Sequence, residues 1–464
     1  MKIHNVRLGH ATNSSSTHSI IYTDYPVGDK DVYDGEFGWN HFTAASLETK
    51  KLYLASTLYS NLKYQVSNDI AMAVVRDWVG VSLTPSTYGG VEENIDHQSI
   101  FRLPVEYSGK GIHKQFFDEF KEYMLKDGIV ILGGNDNSED SHPLLSSNKK
   151  IELPIPTDTN AELVARKDDS GYWTLFNREA GTKIRFSFND FEYSPVRAST
   201  PELVDLKITD YCTEGCAYCY QDSTPEGSHA KKQDIMSILY ALADAEVFEI
   251  AIGGGETTDH PDFAEIVNMA KYYKITPNFT TKSLKWLKEP WAKQVLDDVG
   301  GFAYSVNNHK QIPKFVEALK KLNYPQYPKR LYIHYVLGST PMTEYKRILE
   351  TAYAAHIQVT LLGYKTTGRG SSFTMFPHEN WLKVIKEMRD AGKYVRIGID
   401  TAIVQQYDRT IQLEGISKCL YHSQEGKFSC YIDAVTNRIA PSSYADRSEY
   451  KSFDTEWLGT FKNF

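Results

Sequence analysis

Cysteine is scarce in this chain, with 5 in 464 residues. That scarcity excludes the dense disulfide framework of a small secreted domain. Long apolar runs are missing too. No stretch reaches the roughly 18 apolar residues of a membrane-spanning helix. The opening segment "MKIHNVRLGHATNSSSTHSIIY" lacks the apolar core of a signal peptide. A soluble, cytoplasmic protein with no membrane partner is expected. Excess positive charge is also absent: 51 Lys and Arg stand against 59 Asp and Glu, a net charge of −8. A broad electrostatic grip on nucleic acid is therefore not expected. Low-complexity sequence is confined to Ser14-Ser15-Ser16.

What is present fits ordinary globular folding. Hydrophobic residues make up 41% and charged residues 24% of the chain, and the length allows two or three domains. In residues 1–150, "AASLETKKLYLASTLYSNLKY", "NDIAMAVVRDWVGV" and "HKQFFDEFKEYMLKDG" carry apolar residues at three- and four-residue spacing. They predict three helices, the last closed by Gly128. "GIVILGGND" predicts a short buried strand, with Gly133-Gly134 as a turn. Residues 151–200 alternate instead, and "AELVARKDDSGYWTLFNREAGTKIRFSF" predicts a three-stranded antiparallel meander acting as a connector.

From residue 201 to about 405, strand and helix patterns alternate six or seven times, beginning with "LVDLKIT". This predicts a parallel sheet with outer helices, a partial β/α barrel, with a doubly wound open sheet as the alternative. The fold class is α/β, with an α+β N-terminal domain. Residues 406–464 hold a hairpin, "FSCYIDAVTNRIAPSSY", turned at Thr436-Asn437, and a polar tail.

Three of the five cysteines crowd into "CTEGCAYCY", at Cys212, Cys216 and Cys219. Coincidence is a poor account of such spacing. A disulfide pair with a spare thiol suits neither a cytoplasmic protein nor the tight loop. A zinc site needs a fourth ligand or an open water position. An iron–sulfur cluster needs several thiolates around one inorganic core. The cluster follows the first strand of the βα series, at the strand's C-terminal end, where parallel-sheet enzymes place their chemistry.

The C-x3-C-x2-C spacing, with aromatic Tyr218 before the third cysteine, resembles the signature of the radical S-adenosylmethionine (radical SAM) superfamily. Gly254, Gly255 and Glu256 in "IAIGGGETTDHPDF", one helix later, resemble its GGE motif. Here Thr257-Thr258-Asp259 follows where Pro-Thr is common, which affects the local turn. The resemblance covers roughly residues 201–400. It implies that Cys212, Cys216 and Cys219 bind one [4Fe-4S] cluster whose fourth iron takes S-adenosylmethionine. It implies that the GGE motif holds the amino group of that molecule. An electron from a donor such as flavodoxin or ferredoxin then yields a 5′-deoxyadenosyl radical, which removes a substrate hydrogen atom.

Other candidates lie at further strand ends. Ser305 and Asn307 in "AYSVN" lie where the family often places contacts to the ribose or carboxylate, with an ordinary strand-end turn as the alternative. Gly363 in "LLGYKTTGRG" permits close approach of adenine, and Lys365 and Arg369 are candidates for a carboxylate or anionic substrate. Solvated loop charges are the ordinary alternative for those two. Either His334 or Tyr335 points inward from the fifth strand. His260 is expected to start a helix rather than bind metal, with Asp259 as its cap.

Cys419 and Cys430 resemble the remnant of an auxiliary-cluster domain found in peptide-modifying members. Pro441, Ser442 and Ser443 stand where further cysteines usually follow, so both are expected as buried small residues, with a second site involving His422 as the alternative. A peptide or protein side chain is the expected substrate. The alternatives are RNA, a nucleoside or a small molecule as substrate, and a cysteine-ligated zinc or redox-sensing protein. The Asn-Ser-rich N-terminus is expected as a polar arm, or as a segment itself recognised or modified.

Overall fold

The computed structural model describes residues 2–7, 19–22, 31–33, 35–38, 42–83, 95, 99–106, 111–133, 163–188, 195–413, 421 and 424–464. The Ser14-Ser15-Ser16 run, Gly134, Cys419 and His422 lie outside the described residues. Two compact units divide the chain. The first takes Met1–His4, Thr12–Lys167 and Gly171–Tyr193; the second takes Asn5–Ala11, Asp168–Ser170 and Ser194–Phe464. The meander predicted before residue 200 belongs to the first unit, and the C-terminal hairpin to the second.

In chain order the first part contributes β1 (Lys2–Arg7), β2 (Ser19–Tyr22), β3 (Phe42–Ala44), α1 (Leu47–Leu62), α2 (Asn68–Val79), α3 (Lys114–Met124), β4 (Val130–Gly133), β5 (Leu163–Lys167), β6 (Trp173–Asn177) and β7 (Lys183–Ser187). The three expected helices are present. Helix α1 starts because Ser46 accepts the Thr49 N–H at 3.2 Å, while Asp31 gathers the Ala45 and Ser46 N–H groups. Helix α3 stops at Leu125; Gly128 comes three residues later and makes the left-handed turn into β4. The apolar stripe of α3 packs on the meander, with Phe116 5.2 Å from Trp173 and 5.4 Å from Phe188. Glu119 fixes the same contact through the Trp173 indole N–H at 2.8 Å and Lys167 at 2.5 Å. The meander gains β1 as a fourth strand, in the order β1-β7-β6-β5, which the polar N-terminal sequence did not predict. Gly133 pairs with both Ser19 and Phe42 inside the β2-β4-β3 sheet, so it is a strand residue rather than a turn.

The second unit continues with β8 (Leu203–Thr209), α4 (Lys232–Asp244), β9 (Glu249–Gly254), α5 (Phe263–Tyr272), β10 (Thr276–Thr281), α6 (Ala292–Asp298), β11 (Gly301–Ser305), α7 (Gln311–Lys321) and α8 (Tyr327–Arg330). Then come β12 (Leu331–Val336), α9 (Met342–Ala354), β13 (Gln358–Leu362), α10 (Trp381–Asp390), β14 (Ile397–Ile399), α11 (Thr401–Leu413), β15 (Ser429–Asp433), β16 (Arg438–Ala440), β17 (Lys451–Ser452) and α12 (Trp457–Lys462). One sheet runs β14-β13-β12-β11-β10-β9-β8-β15-β16-β17, and every neighbouring pair from β14 to β15 is parallel. The expected α/β series is therefore present, and the hairpin extends it beyond β8.

Alternation along the strands creates two chemical faces. Leu331, Ile333 and Tyr335 of β12 are buried in the core with Tyr345, Ile348 and Leu349 of α9. His334 takes the opposite face. The same alternation puts Val204, Leu206 and Ile208 of β8 in the core and leaves Asp205 on the other face. Packing thus consumes one side of the sheet and leaves the other, with the C-terminal strand ends, for polar groups.

Candidate functional site

The cysteine loop begins where β8 ends. Lys207 is almost fully buried; it bonds Asp433 of β15 at 3.0 Å and also meets Asp210, the first loop residue. Beyond it the loop is stitched to itself: the Cys212 N–H donates to the Thr224 carbonyl at 3.0 Å and the Asp210 N–H to the Ser228 carbonyl at 2.8 Å. It is also stitched to β9. The Gly255 N–H donates to the Thr209 carbonyl at 2.7 Å and the Glu256 N–H to the Tyr211 carbonyl at 2.9 Å. Only glycine permits this approach. A Cβ on Gly254 would lie 2.2 Å from the Thr209 carbonyl oxygen, and one on Gly255 2.0 Å from that of Tyr211. The glycines of this motif thus draw the cysteine loop onto the neighbouring strand.

Glu256 is 2% exposed, and its carboxylate faces the next strand end. Oε1 accepts the Thr258 hydroxyl at 2.6 Å and the Thr281 hydroxyl at 2.7 Å; Oε2 accepts the Lys282 N–H at 2.8 Å and the Ser283 N–H at 3.1 Å. Burial lifts its carboxyl above the ordinary glutamate range, against the pull of those donors. Its side chain therefore fixes the exit of β10. That exit aims Lys282 at the cysteines, with Nζ 3.0 Å from the Cys216 sulfur. Burial pulls the Lys282 ammonium down, but the hydrogen bond and charge of Cys216 outweigh it and hold its pKa above the usual lysine value.

The cysteine loop is held from the far side by the segment after β13. Arg369 donates from Nε to the Cys216 carbonyl at 3.1 Å, from NH1 to Asp222 at 2.9 Å and from NH2 to the Ser223 carbonyl at 3.0 Å. Its own N–H reaches the Cys219 carbonyl at 3.0 Å. The solvated-charge alternative for Arg369 is thus overturned: a guanidinium serves three loop acceptors at once. Cys212, Cys216 and Cys219 are half-buried free thiols. Burial raises the Cys212 thiol, and the Glu214 N–H works the other way. Tyr218 is half-buried and meets the Phe373 ring edge-on at 5.6 Å.

The remaining candidates are spread along the strand ends. Ser305 pairs in register with His334. The Asn307 backbone N–H is taken by Gln311 at 2.9 Å. At Gly363 a Cβ would lie 2.7 Å from Ala402, so the start of α11 makes the close approach there. Lys365 sits between the Tyr220 and Tyr444 rings, 4.6 and 4.8 Å from their centroids, and 3.9 Å from Asp400. Burial acts to lower the Lys365 pKa, but Tyr220 and the carboxylates of Asp400, Asp205 and Glu425 outweigh it and hold it above the usual lysine value. Burial, then Glu425, pushes Asp205 up to about 7. Burial, then Lys365, pulls His334 down to about 4, so its imidazole is neutral at neutral pH.

Several of these groups escaped the sequence reading. Lys282 had one usable signal, a cation directly after a parallel strand. Asp205 had another, an acid inside the apolar strand "LVDLKIT". The helix-start expectation is corrected in detail. Asp262, not Asp259, occupies the N-cap of α5, and its N–H donates to His260 Nδ1 at 3.1 Å. With Nδ1 accepting, Nε2 donates to the Ala230 carbonyl at 3.0 Å, so His260 is a structural, neutral histidine. Cys430 is 1% exposed in the core beside Val204.

Among the described residues no three His, Cys, Asp or Glu side chains converge on a point that one metal ion fills. No described helix is long and apolar enough to cross a membrane. Residues 206–334 match the radical SAM superfamily. Among curated proteins, the mycofactocin maturase MftC of Mycobacterium ulcerans is 27% identical over 99 residues, 21% of this chain and 27% of that protein. Its counterpart from Mycolicibacterium smegmatis is 28% identical over 99 residues, covering 21% and 25%. The chain thus spans about a quarter of the length of these relatives. Among solved structures, Streptococcus suis SuiB bound to precursor peptide SuiA aligns with a TM-score of 0.45 at 15% identity, over 57% of this chain and 65% of that one.

Proposed function

Residues 206–334 carry a radical SAM domain, and from that premise we propose that the chain is a radical SAM enzyme acting on a peptide or protein side chain. The observation that carries the reading is the loop of three free, half-buried thiols at the end of β8, fastened to the glycine pair at the end of β9. The donor set fits an iron–sulfur cluster: three soft sulfur ligands, with a lysine ammonium already on one of them. A single zinc ion would need a fourth protein ligand or an open water position beside these three thiolates. Cys212, Cys216 and Cys219 would hold a [4Fe-4S] cluster, which together with S-adenosylmethionine would supply one-electron chemistry able to remove a hydrogen atom from a substrate.

The chain's own residues do the rest. Gly254, Gly255 and Glu256, which bring β9 against the cysteine loop, are assigned to the amino group of S-adenosylmethionine. Tyr218, Ser305, Asn307, Gly363 and Lys365 are assigned to the surroundings of that molecule, within a catalytic part spanning residues 201–405. The electron comes from a donor such as flavodoxin or ferredoxin. Peptide modification is favoured because the two curated relatives are named as maturases, although they match only over 99 residues.

Anaerobic reconstitution with iron and sulfide tests the reading. The expected result is a brown protein with about four irons per chain that forms 5′-deoxyadenosine from S-adenosylmethionine and a reductant. Alanine at Cys212, Cys216 or Cys219 should abolish both. Zinc bound without iron would overturn the assignment. Candidate peptides are then scored by mass change.

A further inference from the structure

We propose that Lys282 sets the reduction potential of the cluster by placing its ammonium on the Cys216 sulfur, a role that rests on the radical SAM reading above. The contact spans 66 positions of chain and closes at 3.0 Å. Among the described residues, Cys216 is the one cysteine of the three whose sulfur meets a cation; the Cys212 sulfur accepts only a backbone N–H, from Glu214 at 3.5 Å.

The lysine does not arrive there by drift. Its backbone N–H and that of Ser283 both donate to one oxygen of Glu256, and the Thr281 hydroxyl donates to the other. The buried carboxylate therefore fixes the first turn after β10 and the starting point of the Lys282 side chain. At the other end, Arg369 holds the Cys216 carbonyl at 3.1 Å, which fixes the acceptor. Both ends of the contact are restrained by groups that are themselves buried or multiply bonded. Such restraint limits the entropic cost that makes most exposed lysine contacts weak.

The physical effect follows from charge. Reduction adds one electron to the cluster from an external one-electron donor; Lys282 keeps its proton and no bond is made or broken. The added negative charge is stabilised by a cation and an N–H on a thiolate sulfur more than the oxidised cluster is. Net charge and hydrogen bonds to the sulfurs are two of the levers that set such potentials. Half-burial strengthens both, because the site is less screened than water.

The test uses the reconstituted full chain as wild type, K282M, K282Q and K282R. Each is titrated with dithionite without S-adenosylmethionine and followed by the paramagnetic signal of the reduced cluster. K282M should make the reduced cluster at least tenfold less populated at a fixed potential, a midpoint about 59 mV more negative for one electron. K282Q, which keeps a donor but no charge, should fall between K282M and wild type, and K282R should stay near wild type. Iron per chain is measured alongside. Should K282M fail to load iron, the K282Q midpoint decides alone, and an unmoved value overturns the proposal. Unmoved midpoints with weakened binding of S-adenosylmethionine also overturn it, because Lys282 then serves that molecule. If wild type loads iron and forms 5′-deoxyadenosine while the midpoints coincide, this inference fails and the functional reading stands. If wild type loads no iron, both fall.

Discussion

Arg369 shows how much one side chain contributes when its geometry matches three acceptors. Its side chain reaches the Cys216 and Ser223 carbonyls and the Asp222 carboxylate, joining two segments some 150 positions apart. Hydrogen bonds from a charged donor contribute more than neutral ones, and leaving buried carbonyls unpaired is costly. R369M should therefore destabilise the loop by about 2 kcal/mol. The measurable signs are faster amide hydrogen exchange in residues 212–224 and lower iron per chain after reconstitution. R369K should recover only part of the loss, since one ammonium cannot face three directions. If R369M exchanges like wild type, the anchoring role is wrong. Nothing in "KTTGRGSS" announces this role, because a cation beside two glycines reads equally well as a solvated loop.

At the scale of elements, the decisive junction is β8 to β9. Its close approach relies on glycine for a steric reason that no side-chain rotamer relieves, because the obstructing atoms at Gly255 are the backbone O and C of Tyr211. G255A should cost about 3 kcal/mol or more, through displacement of the cysteine loop. Gly215 offers an internal control. Its φ is +58° but nothing lies within 4 Å of the position a Cβ would take. G215A should thus cost only about 1 kcal/mol, the penalty of left-handed backbone alone. Thermal melts of the two variants give the comparison, and equal losses would contradict the steric account. The strands and helices of this region were legible from residue 201 onward because period-2 and period-3.6 patterns are local properties. The pairing of β15 with β8 was not legible, since Cys430 meets Val204 across more than 200 positions.

At the scale of the whole molecule, two groups on the polar face of the sheet make stability depend on pH in opposite senses. Asp205 is raised from 3.8 to about 7. A carboxyl with a raised pKa favours its neutral form in the folded state, so stability falls as pH rises between about 4 and about 7. His334 is lowered from 6.5 to about 4. Its contribution is present above the unfolded value and is lost as pH falls from about 6.5 towards 4. D205N should remove the first slope and stabilise the protein at pH 8 by roughly 2–4 kcal/mol, as read by denaturant titration. H334Q should flatten the second slope, visible as a smaller loss between pH 6.5 and pH 4. A D205N variant no more stable at pH 8 than wild type would show that the carboxylate is compensated in the fold.

The amino-acid order by itself determined the α/β succession, the meander and the cysteine and glycine motifs, because each is written in neighbouring residues through period, turn chemistry or spacing. Only the tertiary structure decided which charges serve those motifs. Lys282, Glu256, Arg369 and the Asp433 partner of Lys207 act through contacts 25 to 226 positions apart. Contacts at such separation are set by strand order and packing; local sequence can mark a candidate, as at Lys282 and Glu256, but does not name its partner.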